Sequence, residues 1–224
     1  MCGRFTLTAS LKEIAIRFET IFTFQEEDYA QSFNIAPSQS ILAVINDGIR
    51  NRLGYLRWGL IPPWAKDMSI GYKLINARAE TVTEKPSFKN AFMKKRCLII
   101  ADSFYEWKRK EKDKIPMRIR LKSGELFAMA GIWEQWNTEE GKSIFSCSII
   151  TTEANDFMKP LHDRMPVILK KDDEKIWLNK SLTDPKELIK LLRPYDGSLM
   201  EAYEVSPLVN TPKNNSVQLI QRID

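Results

Sequence analysis

The chain opens Met1-Cys2-Gly3-Arg4-Phe5, and its second residue has the least ordinary chemistry within reach. Cys2 is small enough for Met1 to be removed, after which one residue would carry an α-amine and a thiol on adjacent carbons. An aldehyde meeting that pair can form a Schiff base with the amine, and the thiol can then close a thiazolidine ring. Reference pKa values are about 7.7–8.0 for an α-amine and about 8.5 for a thiol. Part of the amine is therefore neutral near pH 7, and a cation such as Arg4 beside the sulfur would favour thiolate. The alternative is a small residue tucked under a strand, the usual lot of a free cysteine.

Aldehyde capture needs a proton donor for the departing water and a route for that proton. Asp102-Ser103-Phe104-Tyr105-Glu106-Trp107 extends the apolar run Cys97–Ala101. In a strand Glu106 points away from Tyr105 and Trp107 and shares its face with Phe104. A carboxyl group walled by aromatics has its pKa raised by desolvation and can trade protons near neutrality, unless a salt bridge holds it. The sole histidine lies in Leu161-His162-Asp163-Arg164-Met165-Pro166, either as a proton carrier with both charge signs beside it or as a structural residue. Asn76 and Arg78, two apart in an extended run, share one face. They are suited either to holding a carbonyl or phosphate or to an ordinary turn and surface. Trp64 and Phe88, with Arg4, Arg78, Arg118, Arg120 and Arg164, suit a groove that stacks bases and follows phosphates; the alternative is a core tryptophan and solvated arginines. Lys94-Lys95-Arg96 reads as the basic end of a helix.

The totals exclude several classes. With 224 residues, 43% hydrophobic and 28% charged, the chain is an ordinary globular protein rather than a disordered one. No run approaches the ~20 apolar residues of a membrane span, and no basic, then apolar, leader begins it. Cys2, Cys97 and Cys147 form no C-x-x-C pair and meet no histidine cluster, so a reduced, cytoplasmic protein without a metal or disulfide framework is expected. The net charge of +5 tolerates a polyanionic partner without demanding one. No Walker loop, dinucleotide fingerprint, H-E-x-x-H or nucleophile elbow occurs, so no cofactor is expected.

The elements that must position these groups are mostly strands. Ser10 and Glu13 form a capping box that starts an amphipathic helix ending near Thr20, followed by an acidic loop over residues 21–32. Strands are expected at Ile41–Ile45 and Leu53–Trp58 around the Asp47-Gly48 turn, then at Cys97–Ala101, Met117–Leu121, Leu126–Ile132 and Ile144–Thr151. Lys108–Lys114 reads as a solvated hairpin loop, and Arg118, Arg120 and Lys122 as the outward, cationic face of their strand. Helices are expected from Ser87 (as cap) to Lys95, from near Glu153, from Asp172 through Trp177, and after Asp184-Pro185. Short strands at Ala202–Val205 and Val217–Ile220 close the chain. With no linker, repeat or βαβ rhythm, residues 1–224 read as one α+β domain: a β-rich, curled antiparallel, barrel-like sheet with peripheral helices.

Taken together the motifs resemble one family from end to end. Met1-Cys2-Gly3-Arg4-Phe5, Phe33-Asn34-Ile35-Ala36-Pro37, Trp58-Gly59-Leu60-Ile61-Pro62, Ile75-Asn76-Ala77-Arg78-Ala79-Glu80, Phe104-Tyr105-Glu106-Trp107, Ile149-Ile150-Thr151, His162-Asp163-Arg164-Met165-Pro166 and Val205-Ser206-Pro207 are similar to those of the SRAP (SOS response-associated peptidase) proteins, which process abasic sites. The resemblance implies that Cys2, freed of Met1, forms a thiazolidine crosslink with the ring-opened sugar of an abasic site in single-stranded DNA, shielding the lesion. It implies that Glu106 is the general acid/base, that His162 shuttles protons and that Asn76 hydrogen-bonds the linkage. Thr151 would line the same pocket, Arg4, Arg78 and Arg164 would bind phosphates, and Trp64 and Phe88 would stack on bases. Autocatalytic removal of Met1, a lyase side activity, a monomer and association with the nucleoid after damage are further expectations. The competing reading is a cysteine-type or N-terminal-nucleophile peptidase acting on other proteins.

Overall fold

The computed structural model describes residues 2–111 and 113–223. In chain order its strands are β1 (Phe5–Leu7), β2 (Thr20–Phe22), β3 (Ser32–Ile35), β4 (Ser40–Asn46), β5 (Asn51–Trp58), β6 (Asn76–Arg78), β7 (Arg96–Ala101), β8 (Ser103–Lys110), β9 (Asp113–Leu121), β10 (Phe127–Asn137), β11 (Ser143–Glu153), β12 (Arg164–Pro166) and β13 (Met200–Glu204). The helices are α1 (Leu11–Phe18), α2 (Lys89–Lys94), α3 (Lys171–Leu178) and α4 (Pro185–Ile189). None is long and apolar enough to cross a membrane.

Strands β11, β10, β7, β4 and β5 pair in that order, and β5 returns to β11. The ring so closed leaves no free edge among those five. The closing contact is parallel, Ser146 beside Arg57 and Cys147 beside Trp58. Parallel too are β6 against β11 and β2 against β5, so the expected antiparallel sheet is a mixed one. Such pairings need no βαβ unit, because the partner strands arrive from distant stretches of chain. The continuous apolar run of β7, buried at every residue, is the pattern of a strand covered on both faces.

A second sheet, β13-β9-β8-β1-β3, stands beside the barrel. Phe5, Phe104 and Ile119 from it share one hydrophobic cluster with the barrel residues. The corner where β7 passes into β8 is tied down by Asp102, whose carboxylate accepts from the Thr8 amide, the Thr6 and Thr8 hydroxyls, and Arg118 Nη2 at 3.4 Å. That knot fixes the amino-terminal strand against β8 and hence against Glu106, four residues further on.

Trp58 locks the same region from the barrel side. It is fully buried, meets the Phe5 ring edge-on at 5.2 Å between centroids and donates its indole N–H to the Ile75 carbonyl at 2.9 Å. Gly59 follows with φ at +126°, and a Cβ there would lie 2.7 Å from the Gly71 carbonyl oxygen. Replacing Gly59 by Ala should therefore cost about 3 kcal/mol, read as a fall in the denaturant midpoint, while Gly48→Ala, with open space around it, should cost less.

Several expectations need correction. Val217–Ile220 is a 3-10 turn rather than a strand, and residues 156–161 form turns where a helix was expected after Glu153. Helix α2 starts at Lys89 with Phe88 as cap and no side-chain capping bond, so Ser87 does not cap it. The hairpin at Lys108–Lys114 is tight, with β8 running to Lys110; Lys112 lies outside the described residues. Arg96 is no solvated helix end: buried at the start of β7, its guanidinium donates to the carbonyls of Phe92, Met93, Trp177, Asn179 and Leu182. Arg118 does not face water either. The C-terminal segment covers that face with Tyr203, Val205, Val209 and Leu219, and Arg118 donates to Ser103 Oγ and the Tyr203 hydroxyl, each at 2.7 Å. Arg120 is paired with Glu201 at 2.7 Å.

Candidate active site

Cys2 sits fully buried at the mouth of β1, between the two sheets. Asn76 of β6 donates from Nδ2 to the Cys2 carbonyl at 3.0 Å, so the edge strand of the barrel holds the amino-terminal residue in place. Burial, reinforced by the nearby charge of Glu106, pushes the Cys2 thiol up to about 12, with the Arg4 backbone amide among the groups that pull the other way. The sulfur is thus a neutral thiol at pH 7. The activating thiolate anticipated from Arg4 is absent because the Arg4 side chain lies on the other face of the sheet. There it caps Trp107 at 5.8 Å and donates from Nη1 to Asn34 Oδ1 and the Val209 carbonyl, each at 2.7 Å.

Glu106 lies in β8, buried on the face opposite Tyr105 and Trp107, as the alternation in the sequence predicts. Burial raises its carboxyl to about 7, with the charge of Asp163 adding to the effect. A group poised there gives and takes protons at neutral pH with little cost either way. Asn76 has one more feature of use: its Oδ1 is buried with no hydrogen-bond partner among the described residues, an acceptor left over after Nδ2 is committed to Cys2.

His162 approaches from the turn before β12. Its Nδ1 lies 2.6 Å from Asp163 Oδ1 and 2.9 Å from the Arg164 backbone nitrogen. Burial lowers its pKa, and Asp163 opposes that shift. Arg164 is clamped: Nη1 and Nη2 donate to the two carboxylate oxygens of Glu80 at 2.7 and 2.9 Å, and Nη2 also donates to the Thr151 carbonyl at 2.6 Å. Thr151 is buried in β11, in register with Arg78 across the parallel β6 pairing. Arg78 itself is exposed. Cys2, Asn76, Glu106, His162, Arg164 and Thr151 are thereby linked through direct contacts or through the field of Asp163.

The two aromatic residues behave differently. Trp64 is 59% exposed on a loop fixed by the Trp136 indole, which donates to the Ala65 carbonyl at 2.8 Å. Phe88 is only 7% exposed and belongs to the core, so the exposed ring expected there is Trp64's alone. Pro62, Trp64, Pro86, Ser87 and Asn90 border a cleft of about 330 Å³. A larger concavity of about 910 Å³ between α1, α3 and the β4–β5 hairpin contains none of the candidate residues. The titrating groups Cys2, Glu106 and His162 all lie outside it.

The family model described as SOS response associated peptidase (SRAP) matches residues 1–212. The chain belongs to the SRAP family. The Bacillus subtilis abasic site processing protein YoaM is 61% identical over 98% of this chain and 97% of its own length. The Xenopus tropicalis abasic site processing protein HMCES is 30% identical over 88% of this chain and 68% of its own. A crystal structure of a Bacteroides thetaiotaomicron protein superposes with a TM-score of 0.91 at 29% identity, covering 99% of this chain and all of that one.

Within this SRAP domain three side chains that organise the site went unassigned in the sequence. Asp163 and Glu80 stand beside residues that were singled out, and Glu80 continues the two-residue step from Asn76 and Arg78. Asn34 is buried, accepts from Arg4 and donates from Nδ2 to the Val209, Thr211 and Asn214 carbonyls. A buried asparagine facing three backbone carbonyls from 175 or more residues away leaves no local signature.

Proposed function

We propose that this protein captures the aldehyde of an abasic site in single-stranded DNA through Cys2 once Met1 is gone, and stays attached as a thiazolidine. The observation that carries the reading is the Glu106 carboxyl, buried beside Cys2 and raised to about 7. The names of the relatives, abasic site processing proteins, supply the substrate class. The Cys2 amine adds to the aldehyde carbon, and the protonated Glu106 gives its proton to the hydroxyl that leaves as water, producing an iminium. The Glu106 carboxylate then takes the thiol proton as sulfur bonds to the same carbon, and the nitrogen recovers its lone pair. Aldehyde plus aminothiol become thiazolidine plus water, and Glu106 ends as it began.

His162 assists ring opening, taking the proton of the anomeric hydroxyl and returning it to the ring oxygen. Asn76 Oδ1 accepts from the opened sugar. Exposed Arg78 binds a flanking phosphate, Arg4 and Arg164, held by their protein partners, would add positive charge towards the backbone, and Thr151 backs that pocket. Trp64 stacks on a neighbouring base, with Phe88 anchoring the wall of its cleft from the core. Trp64→Ala should weaken binding to single-stranded DNA by about 1–3 kcal/mol, measured by fluorescence anisotropy at one fixed salt concentration, without changing the rate of capture at saturating DNA. The iminium is also the species from which strand elimination would proceed, so a slow lyase activity belongs to the same site. A thiol held near 12 does not suit a thiolate peptidase acting on other proteins, whereas Glu106 serving as general base for a water would cleave the Met1–Cys2 amide, releasing methionine and the Cys2 amine.

The test is intact mass after incubation with two single-stranded oligonucleotides, one bearing an aldehydic abasic site and one a tetrahydrofuran analogue without an aldehyde. The reading requires a protein-plus-oligonucleotide mass, less one water and lacking Met1, with the first and not the second. Adducts with both, or with a protein that keeps Met1, would sink it.

A further inference from the structure

His162 Nδ1 has two neighbours that ask opposite things of it. The Asp163 carboxylate oxygen at 2.6 Å is a hydrogen-bond partner only if Nδ1 carries a proton, since both atoms otherwise present lone pairs. The Arg164 backbone N–H, at 2.9 Å, is a partner only if Nδ1 does not. Arg164 cannot move aside, because its side chain is clamped by Glu80 and the Thr151 carbonyl. Nδ1 must choose.

We infer that Asp163 is a positioning residue which keeps the proton on His162 Nδ1 and so frees Nε2 for the proton transfers of the reaction. When Nδ1 accepts from Arg164, the neutral ring carries its proton on Nε2. There it has no lone pair with which to take a proton, and giving that proton up would leave an imidazolate. When Nδ1–H is bonded to Asp163, Nε2 holds a lone pair, takes a proton to give the imidazolium and returns it, with no further change at Nδ1. A charge-assisted hydrogen bond is roughly twice as strong as a neutral one, which favours Asp163 over the amide. The His162 side chain is 32% exposed and that of Asp163 83%, so the proton can exchange with solvent while the pair stays in contact. Of the groups acting on the ring, burial, Arg109 of β8 and Arg164 of β12 all work against the imidazolium. Asp163 works for it and also reaches Glu106.

The consequence for catalysis rests on the capture reaction proposed above, whereas the tautomer does not. His162 is the sole histidine of the chain, so its two ring nitrogens can be read without ambiguity from the ¹⁵N spectrum of the full-length protein. At neutral pH the expected spectrum shows Nδ1 protonated and Nε2 unprotonated. Asp163→Asn should invert that pattern and slow adduct formation about tenfold to a hundredfold, without weakening the binding of undamaged single-stranded DNA. Asp163→Glu should restore both the spectrum and most of the rate, an effect that a purely structural role would not produce. A wild-type ring protonated on Nε2 alone, or a spectrum unchanged in Asp163→Asn, would overturn the inference, as would an inverted spectrum with an unchanged rate. Should the wild-type protein form no adduct at all, the capture reaction falls, and the spectra still decide the tautomer.

Discussion

Cys2→Ala is expected to reduce stable adducts with an abasic-site oligonucleotide to background. The variant keeps an α-amine after loss of Met1, so an imine can still form. Without sulfur, however, nothing closes the ring and water reverses the step. Borohydride should therefore trap an adduct in Cys2→Ala that disappears when the reductant is omitted, whereas the wild-type adduct survives without it. Cys2 is buried but small, and its truncation should cost only about 1 kcal/mol of stability, which keeps the variant folded and the comparison fair. A short peptide appended before Cys2 should abolish capture equally well by consuming the amine. A peptidase relying on thiol and imidazole would tolerate it. An adduct in Cys2→Ala that withstands denaturation with no reductant present would point to a different nucleophile.

Glu106→Gln should slow capture by about 10²–10⁴-fold while leaving DNA affinity unchanged. The amide can neither supply the proton to departing water nor remove the one on sulfur. Because the wild-type carboxyl sits at about 7, its acid form is lost as pH rises through that value, and the alkaline fall in the rate of water loss should vanish in the variant. The same substitution should stabilise the protein. A carboxyl whose folded pKa lies above its ordinary 4.5 imposes no penalty below pH 4.5. The penalty grows as pH rises towards 7 and is complete above it, where the protein holds a buried charge the unfolded chain would hydrate. Glu106→Gln should consequently gain about 3 kcal/mol at pH 8 and almost nothing at pH 4.5, as read from denaturant midpoints at the two pH values. Equal losses of rate and of DNA affinity would remove Glu106 from the proton-transfer role.

Locally governed features were legible in the sequence. The Ser10–Glu13 box forms both of its bonds, Asp184 caps α4 ahead of Pro185, and Glu106 faces away from Tyr105 and Trp107. Each of these is decided by residues a few positions apart. What was not legible depends on which distant segment covers a face. Arg118 alternates as expected, but its outward side is buried by a C-terminal segment some hundred residues later. Val217–Ile220 has strand-like composition, yet as a 3-10 turn it sends Leu219 into that second cluster. The parallel closure of β5 on β11 likewise follows from the curvature of a whole sheet, which no local run encodes. In the site, chemical types could be listed but not neighbours. That Arg164 is tied to Glu80, and that His162 has two rivals for one nitrogen, are properties of three-dimensional placement alone.

The deep seat of Cys2 bears on how long the protein can wait unused. If Cys2 is consumed in the single covalent event proposed above, it must not be spent on peroxide, alkylating agents or stray metabolites, all of which attack thiolate rather than thiol. Held near 12 and out of solvent, this sulfur is an unattractive target for them. In the proposed capture reaction it would give up its proton only once an electrophile had been delivered to the amine beside it, so that shelf life and selectivity would arise from one and the same enclosure.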